Sequence, residues 1–359
     1  MSPPHDEQAQ LIEGRKQDHI RLCVDRHSEF RRKSTLLEEV DLVHHALSER
    51  RVSDVDLRTT FLGKTLRAPI VISAMTGGTA DARAINRDLA RAAETLGIAF
   101  GLGSQRAMAL RPESADTYEV RDVAPSTVIL GNLGIVQARA MSTDDVRRLV
   151  ERAQVDALCI HLNPAMELIQ PHGDRDFTDG LRTLERLVRE LPTPVVVKET
   201  GCGISLGVAR AVREVGVRAV DVSGAGGTSW VAVEARRVSG ATKRLGEALW
   251  DWGIPTAPSV VWAAEAGLEV VATGGLRTGI DVAHALALGA TLGGLAAPVL
   301  RAQQEGGYDG AVEYLRDVID AVRAITFLTG SESPSRLRDV PRVMGPRLNA
   351  WLSAEGRAR

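Results

Sequence analysis

Aromatic residues are scarce, at 4% of the 359-residue chain, and cysteines are few: Cys23, Cys159 and Cys202. Three thiols so far apart do not make a disulfide framework and fit a reducing compartment. No run approaches the roughly 20 apolar residues of a membrane span. The opening MSPPHDEQAQ is polar and has no apolar signal core, so a cytoplasmic location is expected. Neither charge sign dominates: 44 Lys plus Arg stand against 46 Asp plus Glu, a net of −2. That balance, with no basic run, argues against nucleic acid as the main partner.

Apolar residues, in contrast, make up 44% of the chain, enough for one large core or two small ones. Glycine is abundant, at 34 residues. Short β-branched, apolar runs recur at 69–73 (PIVIS), 97–104 (GIAFGLGS), 127–134 (TVILGNLG) and 157–163 (ALCIHLN). They continue at 194–201 (PVVVKETG), 218–224 (RAVDVSG), 268–275 (LEVVATGG) and 291–298 (TLGGLAAP). Segments such as ADARAINRDLARAAETLG and GIDVAHALALGA lie between them and predict helices. The runs are continuously apolar, as strands covered on both faces are. Eight βα units in about 230 residues predict an α/β fold, a (β/α)8 TIM barrel, with a doubly wound open sheet as the alternative. The expected division is an N-terminal extension (1–65), the barrel (66–345) and a C-terminal tail (346–359). The segment after Leu300 reads as a closing helix pair. The long gap at 225–267 reads as a lid or binding loop.

Most runs end in Gly, Ser, Asn, Lys or His, and the C-terminal rim of such a barrel carries the chemistry. SGAGGTSW (223–230), TGGLRTG (273–279) and GLAAP (294–298) follow the last three runs. Their glycines admit close backbone approach, and a helix N-terminus favours an anion, so a phosphate is expected there; tight turns are the plainer reading. Lys198 follows three valines and is costly to bury unpaired. It reads as a Schiff-base nucleophile, a phosphate contact, a flavin contact or a snorkelling lysine, with Glu199 as its expected partner. Ser104, Gln105 and Arg106 supply donors suited to an anionic oxygen, and Asn132 offers an amide to a heterocycle edge. Arg15, Lys16 and His19 gather ahead of the barrel, as either a solvated helix face or a basic arm over an anionic substrate. His161, Asn163 and Glu167 cluster in HLNPAMELIQPHGDRDF around the apolar Met166. His44 and His45 lack ligand spacing and read as structural.

Taken together, RKQDH, SAMTGGT, GSQRAM, GNLG, HLNP…GDRDF, VVVKETGCGIS, DVSGAGGTSW, DWGIPT and TGGLRTGIDVAHALALGA resemble the type 2 isopentenyl diphosphate isomerase family over roughly residues 11–345. The resemblance implies an FMN-dependent (β/α)8 barrel, a homotetramer or homo-octamer. It would interconvert isopentenyl and dimethylallyl diphosphate with reduced FMN and Mg²⁺, with NAD(P)H as reductant. By position it implies that Ser73, Ala74, Met75, Ser104, Asn132, Lys198, Ser223 and Thr228 hold the flavin. Gly274, Gly275, Leu276, Ala296 and Ala297 would take its phosphate. Arg15, Lys16, Ser104, Gln105, Arg106 and His161 would meet the isoprenoid diphosphate, and Glu167 the Mg²⁺. His161, Asn163, Met166 and Trp230 fall at the reacting end.

Two positions depart from the family pattern. Asn-Pro-x-Gln-Glu is here Asn163-Pro164-Ala165-Met166-Glu167, and Pro-Glu-Gly-Asp-Arg is Pro171-His172-Gly173-Asp174-Arg175. Methionine donates no proton and suits an apolar wall. Three readings stay open within the family: ordinary isomerisation, double-bond migration or cyclisation of a different or longer isoprenoid, and a flavin-binding protein without catalysis. A fourth, an FMN-dependent hydroxyacid oxidase, requires a catalytic histidine. The loop after the sixth run has none.

Overall fold

The structure, a computed structural model, describes residue 14 and residues 18–355. All eight anticipated runs form parallel strands: β1 (Ile70–Ile72), β2 (Ala99–Gly101), β3 (Ile129–Gly134), β4 (Ala157–Leu162), β5 (Val195–Glu199), β6 (Ala219–Asp221), β7 (Glu269–Ala272) and β8 (Leu292–Leu295). They pair in chain order, and β8 returns to β1, closing the barrel. The open-sheet alternative is thereby removed.

Local chemistry sets the helices between the strands. Thr79, Ser142, Ser205, Ser229 and Thr278 each cap a helix by accepting a backbone N–H three residues on. Gly97, in the left-handed region, ends Ala80–Leu96. That helix buries Ala82, Ile85, Leu89 and Ala93, a stripe at the three-to-four spacing of one helical face.

The barrel interior is read by alternation. Val71, Ala99, Leu130, Ala157, Cys159, Val196, Ala219, Val271 and Leu292 pack together inside, with Phe61 and Leu66 beneath them. Phe61 and Leu66 come from an antiparallel hairpin, Thr59–Phe61 with Lys64–Leu66, that plugs the N-terminal mouth. Side chains alternate faces along a strand. Two residues beyond this apolar layer the inward positions are therefore Ser73, Gly101, Asn132, His161, Lys198, Asp221, Thr273 and Gly294. A dry core below gives way to a polar ring above.

The expected helix pair after Leu300 lies within Ala297–Leu328, which breaks into two helices at Gly307, where φ is 60° and ψ −146°. A strand, Arg342–Met344, then pairs with Val40–Leu42, and Pro346–Glu355 forms a further helix. The 225–267 excursion is helical at Trp230–Ala235, Gly240–Ala248 and Thr256–Glu265.

Candidate active site

One cavity opens above the polar ring. Residues 18–24 are helical and bring His19, Ile20 and Cys23 to its wall. The following stretch ties down across the rim: Phe30 N–H donates to the Gly227 carbonyl at 3.0 Å and Ser229 N–H to the Ser28 carbonyl at 2.8 Å. Arg277 pairs with Glu29 at 3.0 Å.

The β7 and β8 loops form a cradle at one end. Gly274 and Gly275 have φ of 94° and 96°. A Cβ on Gly274 would fall on the Gly224 backbone, and one on Gly275 would come within 2.6 Å of Gly226. Only glycine fits there, and the bare backbone lies beside the N-terminus of the Ala297–Leu328 helix. Gly274, Gly275, Leu276, Ala296 and Ala297 all line the cavity, as do Ser223 and Thr228 from β6.

The floor carries Ser73, Ala74, Met75, Ser104, Asn132 and Lys198. The Ser73 and Thr76 hydroxyls are buried with no partner among the described residues, which suits a polar heterocycle seated on them. Lys198 does not pair with Glu199 as expected. Its Nζ lies 2.9 Å from the Asp221 carboxylate. Glu199 turns to its own loop, accepting N–H bonds from Thr200 and Cys202. Burial pushes the Glu199 carboxyl up to about 7 from 4.5, against those N–H bonds and the Lys198 charge.

At the opposite end His161 donates from Nδ1 to the Asn132 side-chain carbonyl oxygen at 2.7 Å. Pro164 opens a short helix, Pro164–Ile169, that carries Met166 and Glu167. Both line the cavity. Glu167 accepts from Asn163 Nδ2 at 2.8 Å, Gln170 Nε2 at 3.0 Å and Asp174 N–H at 2.8 Å. Asn163 thus orients the carboxylate. Arg106 faces Asp174 at 3.9 Å. Trp230 meets the His19 ring edge-on at 5.1 Å, and His19 bonds the fully buried Glu234 at 2.7 Å. Burial opposes ionisation of Glu234, yet the His19 and Arg237 contacts hold its carboxyl below the usual range.

Every anticipated site residue among those described lines this cavity except Gln105. Gln105 is fully buried behind the floor: its Oε1 accepts the Asn132 N–H at 2.9 Å and its amide reaches the Leu149 carbonyl. A spent amide leaves nothing for a diphosphate, so its place as a substrate contact is corrected to support for Asn132. Arg15 and Lys16 lie outside the described residues. Not anticipated were Gln170, Gln137, Thr273 and Arg301, all in the wall, and Asp221 beneath Lys198. Gln170 was within reach of helical spacing, three residues after Glu167. Among the described residues no cluster of three or more His, Cys, Asp or Glu forms a metal cage.

The class follows from barrel, cradle and floor: the family model described as FMN-dependent dehydrogenase matches residues 9–175 and 161–340, and this is an FMN-dependent barrel protein. Solved mandelate oxidases share the fold, with TM-scores of 0.62 at 22% identity (87% of this chain, 88% of theirs) and 0.63 at 19% identity (96% and 100%). The isopentenyl-diphosphate delta-isomerase of Methanothermobacter thermautotrophicus is 42% identical over 96% of this chain and 97% of its own. Those of Pyrococcus abyssi (42%; 94% of each chain) and Nostoc sp. (41%; 94% and 97%) are similar. The chain belongs to the type 2 isopentenyl-diphosphate isomerase family, and its class of enzyme is isomerase.

Proposed function

We propose that this chain interconverts isopentenyl and dimethylallyl diphosphate with FMN and Mg²⁺. The supporting observation is the single cavity with a glycine cradle at one end and His161, Arg106 and Glu167 at the other. Gly274, Gly275, Leu276, Ala296 and Ala297 would take the flavin phosphate, and Ser73, Asn132, Lys198, Ser223 and Thr228 its ring system. Bound and reduced by NAD(P)H, FMN would supply the acid/base chemistry and an electron-rich face toward developing positive charge on the alkene.

The chain's own residues bind and orient. Ser104, Arg106 and His161 meet the diphosphate, with Arg15 and Lys16 as further cations. Glu167 is buried, and its carboxylate is aimed by hydrogen bonds from Asn163, Gln170 and the Asp174 N–H. A hard cation such as Mg²⁺, held by one carboxylate, water and diphosphate oxygens, fits that donor set. Met166 and Trp230 flank the hydrocarbon, and the arm over the rim excludes water from it. A second reading, a longer or different isoprenoid, is favoured by one observation: Met166 shares the wall with Ile20 and Cys23.

The test is anaerobic, with isopentenyl diphosphate, Mg²⁺ and chemically reduced FMN in D₂O, followed by NMR. Dimethylallyl diphosphate carrying deuterium is the expected result. Flavin bound without turnover would transfer the proposal to the longer isoprenoids. A protein that neither carries nor binds FMN would overturn it.

A further inference from the structure

We propose that Asp221 is a positioning residue that fixes Lys198 under the flavin and sets how strongly the site favours reduced over oxidised flavin. This rests on the FMN reading above. The geometry gives Asp221 a place no other acidic residue holds. It stands in register with Lys198 across the β5–β6 pair, pointing into the barrel. One oxygen lies 2.9 Å from Lys198 Nζ, with both side chains about nine-tenths buried. The other accepts the Ser223 N–H at 3.2 Å and the Thr273 hydroxyl. Asp221 itself does not line the cavity, whereas Lys198, Ser223 and Thr273 all do.

One carboxylate therefore organises three neighbouring floor groups from β5, β6 and β7. It neutralises the only one of the three that is charged. Ser223 is held with φ of 37°, a conformation that a side chain rarely adopts, and its N–H bond to Asp221 supports it. An ammonium fixed beside a flavin favours added electron density, and a carboxylate behind it moderates that effect. Cys159, on the inward layer of β4, offers no competing charge: burial pushes its thiol up to about 12.

The measurement is the midpoint potential of FMN bound to the full chain, by anaerobic reduction against a reference dye, together with the dissociation constant of oxidised FMN. Asp221→Asn keeps an oxygen for Ser223 and Thr273 and removes the charge. It is expected to tighten reduced relative to oxidised FMN by about tenfold, a potential about 30 mV more positive for a two-electron couple. In a Lys198→Met background the same substitution is expected to shift the potential by a clearly different amount, because the carboxylate and the ammonium are coupled. Equal shifts in both backgrounds, or none in the FMN-loaded Asp221→Asn protein, would overturn the inference. Should Asp221→Asn fail to fold, Thr273→Val, which removes one bond to the carboxylate, is expected to shift the potential in a smaller amount, and no shift there would overturn it equally. A parent chain that binds no FMN refutes the FMN reading instead, so the two failures are distinct.

Discussion

Glu167 and Met166 are adjacent in one short helix and do opposite things to the cavity. The carboxylate is held by Asn163, Gln170 and the Asp174 N–H, an arrangement that fixes its direction. Glu167→Gln keeps the shape and removes the charge a hard cation needs. Mg²⁺-dependent turnover is expected to fall by about 100-fold or more, while FMN affinity stays within about twofold, as read by kinetics and flavin fluorescence. Equal losses in both would make Glu167 a structural residue. Met166 presents a thioether chain to the cavity. Met166→Gln is expected to raise the kcat/KM ratio for isopentenyl diphosphate over a longer prenyl diphosphate by roughly tenfold, since one polar group at an apolar wall discriminates on that scale. An unchanged ratio would place chain-length selection elsewhere in the cavity.

Between elements, the arm of residues 18–30 is joined to the Trp230–Ala235 helix by a chain of polar contacts around the buried Glu234: Asp18 to Arg237 at 3.2 Å, Arg237 to Glu234 at 2.7 Å, Glu234 to His19 at 2.7 Å. Glu234→Gln breaks its charge while keeping its shape. Loosening of the arm is expected, seen as faster hydrogen exchange in residues 18–36, with KM raised by roughly tenfold and the flavin potential unmoved. An arm as protected as in the parent would mean that the Phe30 and Ser229 backbone bonds alone hold it.

The strands themselves were legible because each is a short apolar run, and the rim motifs because glycine and isolated polar residues punctuate strand ends. What alternation adds was not. A strand buried on both faces has no polar face to mark which residues point inward, so Asp221 and Thr273 passed as ordinary members of their runs. Once Ala219 and Val271 are seen inside the barrel, both follow by a step of two. Gln105 misled for the same reason: a polar residue in a glycine-rich turn reads as a ligand contact, but its amide points back to Asn132. The hairpin at 59–66 and the Arg342–Met344 strand were missed because TTF, KTL and RVM mix polar and apolar residues and form no apolar run.

At the scale of the whole molecule, the barrel separates stability from chemistry. The N-terminal mouth is stopped by Phe61 and Leu66, and Asp156 there accepts from Lys64, Arg121 and the Ile129 N–H. At the other end, Glu199 is buried in its own loop. Its carboxyl is raised to about 7 in the fold against 4.5, chiefly by burial. The folded state then holds a proton that the unfolded chain releases first, so the contribution of Glu199 to stability is greatest below about pH 4.5 and declines as pH rises to about 7. The loss amounts to roughly 3 kcal/mol. Glu199→Gln is expected to flatten this decline, with thermal unfolding compared from pH 5 to 8. Parallel curves for parent and variant would show that other groups set the pH response.

The stretch from Phe30 to Val40 finds its partners late along the chain: Gly227 for Phe30, Asp251 for the Arg31 and Arg32 N–H groups, Met344 for Val40. On a ribosome these residues leave the tunnel about 200 residues, and at bacterial speed tens of seconds, before the first of those partners exists. The segment that closes the cavity in the finished protein must therefore wait in solvent while the barrel is being made. Completion of the cavity becomes a late event of biosynthesis, and a nascent chain stalled before Gly227 would have a lid with nowhere to sit.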